Sequence, residues 1–468
     1  MGDFKIIDRK FTVDNETFYP VTDVQRYWVD DNIDQKYKKQ NFRHGIGIET
    51  FEITGDFDAD VLRQAVLYTV KRHESLRCTF CQIDGQFFMK VFDEHPAVFE
   101  FKDLTGVNDS NIDIVNDFVD FVGHSFIFGT DPLFFVRLVQ TERNRFVLSF
   151  KVHHVIFDAW SEAILISDLY TAYHAFSQKK MPAQPPLMFQ YKDCLEFLNE
   201  LTRTNAEADR AYWSSLYVSP PPKLTIPGVN ADTVKEDISQ RASFMFSDNL
   251  SSKLAVFARE FSTSMFVILQ ASFKAFLFCC AGQRDILIGT AVFGREWPGF
   301  EDQIGCYAKT MAIRTILNET TSFNEVIEKV KKSTEDMNTH TTISLRRFLS
   351  EQSPENATER WHKINVQYMD DSFENLVDSN SPSGDLQFTF KARVSKRARP
   401  SVIAIDMQIE FSKSKNGVGF QVVYDKSLYS QDSIYKLFES YIKHTDLIAS
   451  APGRPISELL NERHFLEA

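Results

Sequence analysis

Two adjacent histidines, His153 and His154, are followed by a carboxylate at Asp158 and then by Trp160-Ser161. Histidine titrates close to neutral pH, so an accessible one can take a proton from an attacking nucleophile. A carboxylate a few residues on can hold an imidazole, or fix the turn through an ion pair. The backbone N–H groups at Ala159 and Trp160, near the start of a helix, are placed to stabilise an oxyanion. The bare spacing is common by chance, and Asp158 alone also reads as a helix N-cap. Neighbouring histidines raise the question of a metal. Successive strand residues point to opposite faces, so His153 and His154 would not share an ion, and no metal site is expected.

The elements around this segment explain how it would be presented. Phe146 to Val152 reads as a strand running into His153. It forms a hairpin with Phe134 to Gln140 around Glu142-Arg143-Asn144. Trp160 to Phe176 reads as a helix with an apolar stripe at Ile164, Leu165, Leu169, Ala172, Tyr173 and Phe176. A strand end meeting a helix start is where layered α/β folds expose reactive groups in a crevice.

The rest of the chain repeats this grammar. His44 to Ile53 alternates as a strand and stops at Gly55; Asp58 caps a helix ending near His73. Gln86 to Phe92 and Val98 to Phe101 read as strands. Ser177 to Pro186 is polar and Pro-rich, and 178–186 reads as a linker between lobes spanning 1–177 and 187–468. Pro220-Pro221-Pro222 follows a helix carrying Tyr212 and Trp213. Beyond it, Met265 to Cys280 and Phe323 to Thr339 read as helices, and Asp285 to Val292 and Met311 to Ile316 as strands. Asp371 to Gly384 reads as an exposed loop. Ile403 to Phe411 and Val418 to Tyr424 form a hairpin around 413–417, and Ser430 to Ile448 closes the chain as a helix.

Bulk composition narrows the class. A chain of 468 residues exceeds one ordinary core, so two lobes are expected. With 43% hydrophobic and 25% charged residues it is a folded globular protein. The 43 phenylalanines add buried area and suit an apolar tunnel. A net charge of -12 repels phosphate backbones and anionic membranes, so neither is an expected partner. The N-terminus lacks the apolar run of a signal peptide, and no run reaches membrane-spanning length; a cytoplasmic protein is the expectation. Cys78 and Cys81 have redox or zinc spacing, but no second pair follows, and Phe80 to Phe92 looks like a hairpin. The six cysteines read as reduced.

Several segments together resemble the condensation domains of nonribosomal peptide synthetases, which share the chloramphenicol-acetyltransferase-like fold. The family motif HHxxxDG, often followed by Trp-Ser, matches His153-His154-Val155-Ile156-Phe157-Asp158-Ala159-Trp160-Ser161. Thr22-Asp23-Val24-Gln25-Arg26-Tyr27-Trp28 resembles the first core motif. Arg72 to Phe80 is close to RHExLRTxF, and Tyr191-Lys192-Asp193 falls where the family has YxDY. Gly282-Gln283-Arg284-Asp285 through Gly294-Arg295 resembles TGQxDxxxGxPxxGR, and Ile304 to Thr310 parallels IGxFVNT. The six motifs run in family order from Thr22 to Thr310, and element order extends the likeness to about Leu460.

The resemblance implies an α/β fold of two acetyltransferase-like lobes, a V-shaped pseudo-dimer with a tunnel between them. It implies His154 as the catalytic residue facing the tunnel, with His153 and Asp158 structural. Arg295 would pair with Asp158, and Arg77 is the second candidate for that partner. Trp160, Ser161, Tyr307, Lys309, Asn365 and Gln25 would lie along the tunnel. The implied reaction is attack of an amine on an acyl thioester to form an amide, as in antibiotic biosynthesis. The donor would ride on the 4'-phosphopantetheine arm of a carrier protein, with no cofactor bound by the chain itself. The acceptor would be a free small amine or a second carrier-bound aminoacyl group. His154 would deprotonate the amine or its tetrahedral intermediate, or simply orient it. A freestanding monomer is the expectation.

The chain departs from the family pattern at three places. Ala159 replaces a glycine, Lys309 an asparagine and Tyr27 an arginine. A position needing φ > 0 would not tolerate alanine. Thr22 to Gln25 is reminiscent of heterocyclisation domains, but these lack both histidines. Two other readings stay open: an acyl-CoA-dependent O- or N-acyltransferase of the same fold, and a catalytically inactive carrier-docking domain.

Overall fold

The computed structural model describes residues 10–33, 46–93, 98–106, 126–218, 224, 226, 239–352, 362–369, 388–392, 405–414 and 417–461. The first elements are β1 (Phe11–Val13), β2 (Glu16–Pro20), α1 (Asp23–Ile33), β3 (Ile46–Gly55) and α2 (Ala59–Arg72). Strands β4 (Cys78–Ile83), β5 (Gln86–Val91), β6 (Phe99–Asp103), β7 (Phe134–Glu142) and β8 (Arg145–His153) follow. Helices α3 (Ala159–Ser177) and α4 (Tyr191–Leu216) come next, then β9 (Ser239–Met245), α5 (Asp248–Glu260) and α6 (Met265–Ala281). Strands β10 (Asp285–Val292) and β11 (Lys309–Ile316) precede α7 (Phe323–Asn338) and α8 (Leu345–Gln352). Strands β12 (Ile364–Met369), β13 (Phe388–Ala392), β14 (Met407–Ser414) and β15 (Gly417–Asp425) lead to α9 (Gln431–Ser450). The readings made for Pro220-Pro221-Pro222, for Asp371 to Gly384, and for the starts of the His44 and Ile403 strands lie outside the described residues.

The described chain forms two compact units. The first is drawn from residues 1–203, 293–308 and 373–396. It holds a five-stranded sheet in the order β13-β3-β8-β7-β6 and a four-stranded sheet in the order β1-β2-β5-β4. In β4 and β5, Cys78 stands opposite Val91, so the Cys78–Cys81 segment is one arm of a hairpin. Strands β7 and β8 pair antiparallel, and β8 pairs with β3 so that His153 faces Ile46. Helix α2 starts where Asp58 accepts hydrogen bonds from the Asp60 and Val61 amides. Its buried face, Leu62, Ala65, Val66 and Val70, packs in one core with Ile164, Leu165 and Leu169 of α3.

The Pro-rich stretch 178–186, expected from its composition to be a linker, is tied into this first unit. The Arg72 guanidinium donates to the Pro185 carbonyl at 2.6 Å, and the Gln184 amide donates to Asp168. Asp168 is 7% exposed and also meets Arg72 and His73, so a buried carboxylate recruits the stretch as a ligand. The first of the three stretches that make up this unit runs on to Arg203, within α4.

The second unit is drawn from residues 204–292, 309–372 and 397–468. Its six-stranded sheet runs β11-β10-β12-β14-β15-β9, with β12 parallel to both β10 and β14 and the other pairs antiparallel. Helix α6 is apolar all round and buried, the pattern of a central core helix. It carries Lys274, whose amine donates to the Ile313 carbonyl at 2.7 Å and to Thr315 Oγ1 at 2.8 Å. Burial holds that amine well below the usual lysine range. Helix α7 begins in a capping box between Ser322 and Glu325. Among the described residues no single helix is long and apolar enough to cross a membrane.

His444 on α9 gives this unit a pH dependence. It is 8% exposed, neither ring nitrogen has a hydrogen-bond partner, and burial pushes it from 6.5 down to about 4. The folded state therefore keeps it neutral where the unfolded chain is already protonated. Its stabilising contribution is complete above pH 6.5 and is lost as pH falls toward 4. Replacing it by leucine should remove about 2 kcal/mol of the stability lost between pH 7.5 and pH 5. Urea melts of both proteins at the two pH values check this, and an equal loss in both would contradict it.

Candidate active site

Strand β8 carries the histidine pair to the start of α3. Its residues from Phe146 to His153 are all buried, so the strand end is rigidly held. His153 is 1% exposed, and its Nδ1 accepts the Val155 amide at 3.1 Å. Its ring lies near those of Phe126 and Phe128, with centroids 6.5 and 5.2 Å away. This side chain fixes the turn. His154 opens a short 3-10 turn to Ile156 and is only half-buried. Its Nδ1 faces the Phe157 carbonyl at 3.3 Å. A proton donated there leaves Nε2 as the basic nitrogen. The Trp28 indole stacks on the same imidazole, with centroids 5.2 Å apart and planes 23° apart.

Asp158 is the N-cap of α3, and it is saturated with donors. Its Oδ1 accepts from the Ser161 amide at 2.9 Å, Ser161 Oγ at 2.8 Å and Arg295 Nη2 at 2.8 Å. Its Oδ2 accepts from the Tyr307 and Ala308 amides at 3.1 and 3.3 Å. Arg295 in turn donates through Nη1 to the Phe300 and Gln303 carbonyls, at 2.7 and 2.6 Å. Its guanidinium lies 4.3 Å from the Tyr307 ring centroid. The Asp158 and Arg295 side chains are 6% and 5% exposed, so this is a buried ion pair. A carboxylate with five donors has no free lone pair directed at a substrate, so Asp158 organises the turn on which His154 stands.

The segment 293–308 can reach Asp158 because two glycines permit it. Gly294 has φ +68, and a Cβ there would lie 2.3 Å from the Tyr307 carbonyl oxygen. A Cβ on Gly305 would lie 2.4 Å from the Tyr191 ring. The Tyr191 hydroxyl accepts the Cys306 amide at 3.0 Å and donates to its carbonyl at 3.2 Å. Burial pushes the Tyr191 phenol well up, so it remains a donor.

The structure brings His153, His154, Asp158, Ala159, Trp160, Ser161, Arg295 and Tyr307 into one neighbourhood of the first unit. It corrects several expectations. Arg77 is not a partner of Asp158: its guanidinium donates to the Phe92 carbonyl and to Glu74, because it closes the 3-10 turn just before β4. Ser161, Tyr307 and Gln25 are 0%, 1% and 0% exposed, each packed inside the first unit. The Ser161 hydroxyl is enclosed by Asp158, Arg295 and Gly305. Gln25 forms a capping box with Thr22, each side chain accepting the other's amide, at 3.0 and 3.2 Å. Ala159 is the first residue of α3 and has no positive φ, so its backbone does not require glycine.

Trp160 donates its indole N–H to the Glu301 carbonyl at 2.8 Å. Lys309 and Asn365 belong to the second unit. Lys309 donates to the Thr341 carbonyl at 2.7 Å. Asn365 is 7% exposed with an unpartnered Oδ1, and it overlies Gly289, where a Cβ would meet that oxygen at 2.0 Å. Three residues of the site were not singled out from sequence: Trp28, Tyr191 and Cys306. Each lies in a matched motif, and that was the available signal.

The chain offers little for covalent catalysis among its described residues. All six cysteines are free. Burial pushes Cys194 up to about 11 and Cys279 and Cys280 to about 12, with Cys78, Cys81 and Cys306 also raised. Such thiols are poor nucleophiles at neutral pH. No cluster of metal-ligating side chains occurs among the described residues.

Comparison with known proteins agrees with this geometry. A family model described as condensation domain matches residues 15–464. A linear gramicidin synthase from Brevibacillus parabrevis is 24% identical over 442 residues, 93% of this chain. The chain spans only 8% of the length of that synthase. Among solved structures, the X-domain from teicoplanin biosynthesis has a TM-score of 0.78 at 18% identity, covering 97% of this chain and 99% of the X-domain. The first condensation domain of the calcium-dependent antibiotic synthetase has a TM-score of 0.70 at 17% identity, covering 94% and 98%. The histidine pair, the Asp158–Arg295 frame and a match over nearly the whole length lead to one assignment: the chain belongs to the condensation-domain family of nonribosomal peptide synthetases.

Proposed function

We propose that this chain joins an amine to an acyl group carried as a phosphopantetheine thioester, forming an amide and releasing the carrier thiol. His154 takes the proton from the attacking nitrogen through Nε2. The observation that carries this reading is the half-buried His154 ring standing beside a saturated Asp158. A base is available there, whereas among the described residues no activated serine or thiol accompanies it: Ser161 is enclosed and the cysteine thiols are raised. Direct attack of the amine, without an acyl-enzyme, follows.

The donor is taken to be a carrier protein, and the acceptor a free amine or a second carrier-bound aminoacyl group. The test pairs acyl-loaded carrier proteins and the matching acyl-CoA thioesters with a panel of amines and aminoacyl-loaded carriers, products being read by mass spectrometry. Amide formed faster from the carrier than from CoA is the expected result. Turnover with acyl-CoA and no gain from the carrier would point to a CoA-dependent acyltransferase. Carrier binding with no product in any pairing would point to a docking role.

A further inference from the structure

Trp28 lies on α1, whose N-terminus is closed by the Thr22–Gln25 box. The indole covers one face of the His154 imidazole, 5.2 Å away at 23°. The Cys306 thiol, which burial keeps protonated, belongs to the surroundings of this indole. Cys306 is in turn held through its own amide and carbonyl by the Tyr191 hydroxyl.

The His154 Nδ1 meets the Phe157 carbonyl at 3.3 Å, at the long end of the hydrogen-bond range. A stacked ring restricts the imidazole plane, and the Phe157 carbonyl then selects which nitrogen points inward. We propose that Trp28 is the positioning residue of His154: its stacked indole holds the imidazole so that Nδ1–H meets Phe157 and Nε2 is presented to the acceptor nitrogen. This rests on the role proposed above for His154.

The test compares Trp28→Leu and Trp28→Phe with wild type in two ways. One is the His154 side-chain ¹⁵N signals, assigned by their loss in His154→Gln. Wild type should show the proton on Nδ1; Trp28→Leu should show a mixture of tautomers, and Trp28→Phe, which keeps a stacked ring, should stay near wild type. The other is kinetics with the carrier-thioester and amine pair. Trp28→Leu should lower kcat by about 10- to 100-fold with KM within about twofold, the pattern of a displaced catalytic group. Trp28→Phe should recover most of that loss and serves as the variant that keeps the packing. An unchanged tautomer in Trp28→Leu overturns the proposal, as does an unchanged kcat. Activity surviving in His154→Ala would instead remove the role assigned to His154, while the tautomer readout would still decide whether Trp28 holds the ring.

Discussion

Asp158→Ala should be among the most destabilising single changes in the first unit, costing on the order of 4 kcal/mol, as expected for breaking a buried ion pair. The substitution strips the partner from Arg295, whose side chain is 5% exposed. It also orphans the Ser161, Tyr307 and Ala308 amides and removes the N-cap of α3. Arg295→Met should cost less, because Asp158 would keep four of its five donors. Asp158→Asn should fall between, since asparagine caps helices as well as aspartate does but leaves the guanidinium uncompensated. A combined Asp158→Asn/Arg295→Met variant should be more stable than the sum of the two single effects implies. Denaturant melts of the four proteins give this order, and Arg295→Met costing more than Asp158→Ala would contradict it. The same losses should reach activity indirectly, because Asp158 anchors the helix start beside His154.

The second large effect is on rate. His154→Ala should lower the rate of amide formation by about 10²–10⁴-fold, the range that a positioned general base supplies. The stability cost should be smaller than for His153→Ala, because the His154 ring is half-buried and loses mainly its stack on Trp28 and a long contact with Phe157. His153→Ala should behave in the opposite way. That ring is 1% exposed, accepts the Val155 amide and lies beside Phe126 and Phe128, so its removal should cost stability first and activity through the shifted turn. The contrast separates two adjacent residues of one type by what each touches.

Much of the fold is legible in the residue pattern. The Asp58 cap, the β7–β8 hairpin and the apolar helix α6 follow from side-chain period and capping chemistry. Composition misleads at 178–186, because a Pro-rich stretch looks like a linker whether or not a buried carboxylate such as Asp168 binds it. Strand β9 and helix α5 pass unnoticed in the sequence, since β9 alternates weakly and α5 is polar on most of its surface.

The site divides in the same way. The local part, two histidines at a strand end and a capping aspartate, can be read from spacing. The pair Asp158–Arg295 joins residues 137 positions apart and emerges only from the resemblance of two motifs. Burial of Ser161, Tyr307 and Gln25 is a property of packing, which motif membership does not reveal. The indole over His154 is a tertiary contact between the first motif and the central one, and no local pattern encodes it.

The measurement that bears most directly on His154 is a single-turnover assay with one acyl-loaded carrier protein and a saturating amine. Wild type and His154→Ala are compared at equal folded concentration, the amide being quantified by mass spectrometry. Wild type should form the amide at a rate at least about a hundredfold above His154→Ala, with carrier binding equal in the two proteins. Equal rates of amide formation by the two proteins would contradict a proton-accepting role for His154.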